Sequence, residues 1–305
     1  MAPEKSARGT EERCSRSSIF FASGETFHTA RAGTKSGVTT KDSIKKEEEG
    51  LKSGRGRAKP GGKAERGWAK REKKDYVGAI ADFSRAIELN PEAYWAYGGR
   101  GQMRRLRGDY AEAMADLTRA IELDPSYTFG HCERGWAEYE QGDYDGALAA
   151  FTRAIELDSG FGWAHQGFNA LAWTRATSPD ASLRDPAGAV ELARKAVAWA
   201  PTDANFRNTL AAALYSAGRY EEAVQALEKA GELRRGGNGY DWFVLAMVRH
   251  RLGKDDARQW YDKAVAWARE HNPDETSLRR LQAQAAEVLG LGAGPGRPAE
   301  GAERD

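Results

Sequence analysis

The sequence predicts an all-α fold: a right-handed α-solenoid of about six helix-turn-helix repeats, closed by a C-terminal capping helix. Two observations carry this reading. Marker alanines at Ala86, Ala120 and Ala154 stand 34 residues apart, and the series continues through Ala196, Ala230 and Ala264 with steps of 42, 34 and 34. The segments around the first three superimpose as Arg85-Ala-Ile-Glu-Leu-Asn-Pro91, Arg119-Ala-Ile-Glu-Leu-Asp-Pro125 and Arg153-Ala-Ile-Glu-Leu-Asp158. A fixed period of this length marks a helical array in which each unit buries its core only against its neighbours.

The elements follow in order. Residues 1–60 are Ser-, Thr- and Gly-rich, carry a net charge of +5, and show no sustained apolar period. Such a stretch buries too little apolar surface to offset its ordering entropy, so it reads as a disordered basic tail, with at most a short helix around Lys41–Leu51. Residues 61–289 read as the solenoid, with repeats at about 60–93, 94–127, 128–161, 162–203, 204–237 and 238–271. In the second repeat, Trp95–Arg107 forms one helix, Gly108-Asp109-Tyr110 the turn and Ala111–Leu123 the other helix. Gly108, Gly142 and Gly218 recur at that turn, where a left-handed backbone suits glycine. Pro91, Pro125 and Pro201 fall just past the second helix, where a missing amide hydrogen costs least. Alanines 79, 113, 147, 189, 223 and 257 let the paired helices approach closely. The fourth repeat holds eight extra residues within 176–185, and Asp185-Pro186 supplies an N-cap and a first helical residue for its second helix. A capping helix at about 274–289 covers the exposed end, and 290–305 reads as a flexible tail.

Composition narrows the function classes. The chain has 305 residues, 46 Lys+Arg against 45 Asp+Glu, and a mean hydropathy of −0.71. No global field draws it to nucleic acid or anionic lipid, and the tail's basic residues are mixed with Glu47-Glu48-Glu49 and lack interleaved aromatics. Nucleic acid is therefore a weak third candidate. Cys14 and Cys132 do not suggest a disulfide framework. The run Ile19-Phe20-Phe21-Ala22 is too short for a signal-peptide core, and no stretch approaches the roughly 18 apolar residues that span a bilayer. A cytoplasmic, reducing location is expected.

Catalytic motifs are not found. No phosphate-binding glycine loop follows a strand, and Gly236-Gly237-Asn238-Gly239 reads as a connector between helices. His131 and His165 occupy the same place in adjacent repeats and read as packing histidines; a metal would need further ligands, and Cys132 is the only soft candidate. Glu88, Glu122 and Glu156 each lie three residues after an arginine, the spacing of an exposed helical ion pair. Arg66 and Arg100 stand sixteen residues before Asp82 and Asp116, which predicts an ion pair within each repeat; Arg134 lacks that partner because Ala150 stands there. No enzyme, cofactor or metal is expected.

The spacing of Gly67, Ala79, Phe83, Ala86 and Pro91, echoed five more times, resembles the tetratricopeptide repeat over residues 60–271. Lys63 and Lys70 depart from the apolar residues usual in that family, so the first helix reads as a polar cap. The wording Leu171-Ala-Trp, Ala176-Thr-Ser-Pro-Asp180 and Tyr240-Asp-Trp-Phe-Val-Leu-Ala-Met resembles a bacterial group whose members often form the C-terminal part of larger signalling chains. The resemblance implies a protein or peptide partner held in a concave groove lined by the first helix of each repeat. Counting repeats from Pro60, Tyr94, Thr128, Gly162, Ala204 and Asn238, the ligand-facing positions hold Trp68 in the first repeat and Trp95, Gln102 and Arg105 in the second. They hold Phe129, Trp136 and Tyr139 in the third, and Trp163 and Trp173 in the fourth. Tyr215 follows in the fifth repeat, and Trp242 and Arg249 in the sixth. Six of the nine tryptophans fall on these positions. Aromatic and Arg residues are favoured at binding hot spots, although aromatics at helical spacing also serve as inter-repeat core. The Lys and Asn clamp for a terminal carboxylate, known in chaperone-binding relatives, is not present at Ala64, Trp68, Gly99, Phe129 and Glu133. Trp136, Tyr139, Trp163 and Arg105 are the expected centre of a partner-peptide site. The second function reading is a regulatory segment that serves an attached or partner signalling enzyme such as a protein kinase.

Overall fold

The structure is a computed structural model that describes residues 66–71, 73–271 and 275–291. The readings made for residues 1–60 and for the tail beyond Leu291 lie outside the described residues. A helical segment at 66–71 precedes α1 (Tyr76–Leu89). Five further pairs follow: α2 (Tyr94–Arg107) with α3 (Tyr110–Leu123), α4 (Thr128–Gln141) with α5 (Tyr144–Leu157), α6 (Gly162–Thr177) with α7 (Pro186–Trp199), α8 (Ala204–Ser216) with α9 (Tyr220–Leu233), and α10 (Gly239–Arg251) with α11 (Ala257–His271). The helix α12 (Thr276–Val288) comes last. Each pair packs on itself, and each first helix also touches the first helix of the next pair. The all-α repeat architecture is the one the period predicts.

Local chemistry explains the joints. Gly108, Gly142 and Gly218 turn the chain with φ of 94°, 86° and 72°, and Gly253 does the same in the sixth repeat with 65°. Side chains with a Cβ are strained in that region. The alanines at 79, 113, 147, 189 and 223 are fully buried where paired helices meet. Large rings fill the space that glycines leave open. Phe83 and Phe151 are fully buried, and a methyl group added at Gly67 or Gly135 would lie 2.8 Å from the ring of its own repeat. Added at Gly99 or Gly167, in the next repeat, it would lie 2.5 Å from the same rings. Each phenylalanine is thus pressed between two glycines of successive first helices. The third repeat's His131 and the fourth's His165 sit buried beside the preceding turn, with Nε2 at 3.1 Å from the Pro125 carbonyl and 2.9 Å from the Ser159 carbonyl.

Charged residues obey the repeat as well. Arg66 donates to Asp82 at 3.2 Å, and Arg100 grips Asp116 with two bonds of 2.8 and 2.7 Å. Arg134, deprived of such a partner, turns to Glu138 on its own helix at 3.4 Å. Arg119–Glu122 and Arg153–Glu156 are exposed pairs of the expected kind.

The insertion leaves the array continuous. α6 runs on to Thr177, a single 3-10 turn forms at Ala181–Leu183, and α7 restarts at Pro186. The Asp185 carboxylate accepts a bond from the Gly188 amide at 2.9 Å, while its own amide donates to the Arg175 carbonyl at 3.2 Å. Arg175 also reaches Asp145 of the preceding repeat at 3.2 Å. The loop's base is therefore closed, and Pro179–Ser182 stands in solvent. Added length in such a loop costs little closure entropy.

The capping bonds are unequal, which gives a test. Asp143 accepts from the Gly146 amide at 2.9 Å, whereas Asp109 makes no such bond and faces Arg107 instead. Asp143→Ala should lower the unfolding free energy by about 1 kcal/mol. Asp109→Ala should cost clearly less, as read by urea denaturation of both variants. Equal losses would contradict this account of the caps.

Candidate functional site

The first helices line the inner side of a curve. The Trp68 ring lies 5.7 Å from Phe129 on α4, although α2 stands between their helices in the array. In the same way Trp173 on α6 reaches Tyr240 on α10, 6.2 Å away, past α8. Second neighbours meet in this way on the concave side of a curved stack. The side chains expected to face a partner can be placed on that surface one by one.

Part of the set forms the floor. Glu133, on α4, is fully buried. It accepts from the Gln102 amide at 2.5 Å and from the Arg105 Nε at 2.9 Å. Arg105 extends its other arm to Glu140 at 2.6 Å, and Gln102 accepts from Arg71 at 3.4 Å. A polar chain thus runs across the first three repeats. Burial works against the Arg105 charge, but the Glu133 and Glu140 carboxylates outweigh it and raise its pKa. Burial likewise raises Glu140, with Arg105 pulling the other way. Arg105 is only 5% exposed, so its guanidinium is committed inside the fold and holds the groove floor together. Its expected place in the centre of a partner-peptide site has this competing pair to overcome.

Other expected residues are also engaged within the chain. Arg249 pairs with Asp256 at 3.1 Å and closes the turn to α11. Lys263 sits 4.0 Å above the Trp242 ring. Tyr215 leans on Tyr220 with ring centres 5.8 Å apart. Trp95 is half-buried against the core of the first repeats.

The third and fourth repeats bring an aromatic group together. Trp136 lies 5.3 Å from Trp163, 5.8 Å from Tyr139 and 5.2 Å from the buried Phe151. Trp163 is 40% exposed, although large apolar side chains in such arrays are usually covered. The Tyr139 hydroxyl shares a 2.7 Å hydrogen bond with Thr174, and burial pushes its pKa up to about 12. Of the expected centre, Trp136, Tyr139 and Trp163 are contiguous, and Arg105 joins them through Glu140, the residue next to Tyr139.

Two contributors escaped the sequence reading. Glu133 carried a signal: it stands where the neighbouring repeats have Gly99 and Gly167, and a lone carboxylate at a glycine site needs partners. The second is Arg280 on α12, which lines a small cleft with Trp173 and Thr177 of α6. Nothing local in the sequence marks that approach. Among the described residues no cluster of three or more His, Cys, Asp and Glu is placed to hold a metal, and no helix is long and apolar enough to cross a membrane.

Comparison with known proteins supports the fold reading. Three family profiles, each described as tetratricopeptide repeat, match residues 65–128, 128–161 and 181–237. The fold is similar to that of PilF from Pseudomonas aeruginosa, with a TM-score of 0.58 at 16% identity, over 74% of this chain and 97% of that one. It is similar to the C-terminal part of a TPR repeat-containing protein from Cytophaga hutchinsonii, with a TM-score of 0.55 at 15% identity, over 72% and 83% of the two chains. It is similar also to YrrB, described as a TPR protein with an unusual peptide-binding site, with a TM-score of 0.51 at 22% identity over 66% and 97%. A search of curated proteins finds no match.

The buried carboxylate yields a prediction. Removing one partner of a buried pair leaves the other charge uncompensated, at a cost of about 3–5 kcal/mol. Glu133→Ala should therefore lower stability by about 3 kcal/mol or more in chemical denaturation. Glu156→Ala, which removes one side of an exposed pair, should change it by less than about 1 kcal/mol.

Proposed function

The chain is a tetratricopeptide-repeat protein, and from that premise we propose that it is a protein-interaction module that takes a partner peptide on its concave groove and performs no catalysis of its own. The observation that carries this reading is the exposed Trp163 on a firm backing of Trp136 and Phe151. A ring held rigidly by other rings loses little freedom when a ligand covers it, which is what an anchor needs. Affinity in such grooves comes from a few buried anchors rather than from total area. The polar chain of Arg71, Gln102, Glu133 and Arg105 supports the shelf by fixing how the second and third repeats meet. Trp95, Phe129 and Trp68 extend the aromatic surface toward the first repeat, while Trp173, Tyr215, Trp242 and Arg249 continue the wall toward the last. YrrB's described peptide-binding site is in keeping with this use of the fold. The free, buried thiol of Cys132 suits a reducing, cytoplasmic location.

A peptide library panned against the protein tests the proposal. For the peptides that wild-type protein selects, Trp163→Ala should weaken binding by about 30-fold, the equivalent of a 2 kcal/mol anchor. The melting temperature should stay nearly unchanged, because the ring is exposed. Trp136→Ala should lower both, since that ring also covers Phe151. Unchanged binding in a folded Trp163→Ala variant would remove the shelf from the partner site.

A further inference from the structure

α12 does more than close the last repeat. Its Leu278 and Leu281 are buried, and Tyr240 of α10 meets Ser277 through a 2.9 Å hydrogen bond. Its inner side also faces α6, two first helices away in the array. Trp173 and Thr177 of α6 and Arg280, Leu281 and Gln284 of α12 line one small open cleft between the two helices. Beside Trp173, Thr174 bonds the Tyr139 hydroxyl of α4 at 2.7 Å. The curve of the stack has therefore brought α12 against Trp173, a residue that the repeat pattern assigns to a ligand.

We propose that this concave surface, from Tyr139 through Trp173 to Tyr240, is a helix-binding cleft with α12 as its resident occupant, and that the partner segment it fits is an amphipathic helix with two leucine-like side chains one turn apart and an arginine beside them. This rests on the groove reading above and names its ligand class. Three observations lead to it. The resident helix itself has that pattern, Leu278-Arg279-Arg280-Leu281. Spacing of three residues puts the two leucines on one face, the form in which amphipathic helices enter apolar grooves. The covered surface is continuous with the open shelf, because the Tyr139 hydroxyl bonds Thr174, the neighbour of Trp173, at 2.7 Å and its ring touches Trp136.

α12 buries only Leu278, Leu281, Ala285 and Ala286, and it packs on α10 and α11. Its N-cap, Glu275, makes no side-chain bond to the helix amides. A partner helix that covers Trp136 and Trp163 in addition to the cleft gains contacts that α12 does not make. The two compete for the cleft, and displacement of α12 accompanies binding.

The test uses the full chain and a fluorescein-labelled peptide of residues 274–291. Leu281→Asp weakens the resident helix, so the peptide should bind this variant at least tenfold more tightly than wild type. Adding Trp173→Ala should abolish that gain. Hydrogen exchange of the wild-type protein supplies a readout that does not depend on the variants. Amides of α12 should exchange at least 100-fold faster than those of α10, by local release of the helix. Equal peptide affinity for wild type and a folded Leu281→Asp variant, or α12 exchanging only with α10, overturns the proposal. If the library peptides still need Trp163 while the α12 peptide does not compete with them, the helix cleft fails and the groove reading stands. If neither binds through the groove, both fail.

Discussion

The first half of the array depends on a ring held between two glycines. Phe151 fills the space that Gly135 leaves in its own repeat and Gly167 leaves in the next, and Phe83 does the same between Gly67 and Gly99. No methyl group fits on either side without the ring moving. The side chain therefore sets both the approach of paired helices and the distance between successive first helices. In a repeat protein most of each unit's contacts are with its neighbours, so one such joint controls the geometry on both sides of it. The second repeat departs from this pattern. Its ring is replaced by the smaller Leu117 beside Gly101, and the following repeat carries Glu133 where its neighbours have Gly99 and Gly167.

That exchange of glycine for glutamate gives the groove its polar floor. A buried carboxylate is expensive unless fully bonded, and Gln102 and Arg105 supply the bonds. Such a network adds less to stability than to the choice of one arrangement, because any slip between the second and third repeats strands a charge. Beyond it, the aromatic shelf rests on the core itself. Trp136 touches both Phe151 and Trp163, so the ring that spaces the repeats also backs the surface proposed for a partner. Core and site share a wall. Substitutions in one are therefore felt in the other, and binding defects in this region have to be read beside stability.

Much of this was legible in the residues. The period of 34 and the Gly and Pro punctuation located the helix pairs: the second repeat's helices begin at Tyr94 and Tyr110, one residue before the expected starts. The restart at Pro186 was legible too, because Asp-Pro is N-cap chemistry and acts locally. So were Arg66–Asp82 and Arg100–Asp116, whose partners lie within one repeat. What was not legible depends on curvature. A repeat pattern states which side chains face inward, but not how far the stack bends. Whether Trp68 meets Phe129, or Arg280 approaches Trp173, follows from small rotations summed over several joints. For the same reason the pattern did not separate anchors from packing: Arg105 and Trp163 hold equivalent ligand-facing rank in the sequence, yet one is buried and paired while the other is exposed.

The account stands or falls on the fit of the ring between its glycines, and a double-mutant cycle measures that fit directly. Gly167→Ala adds a methyl against Phe151, and Phe151→Leu removes part of the ring that it strikes. The unfolding free energies of wild type, both single variants and the double variant give the coupling. The account predicts that the double variant is more stable than the sum of the single losses by about 1 kcal/mol or more, since Leu relieves the overpacking. Losses that add within about 0.3–0.5 kcal/mol would show that the two positions do not constrain each other, and would contradict the claim that this contact sets the spacing of the repeats.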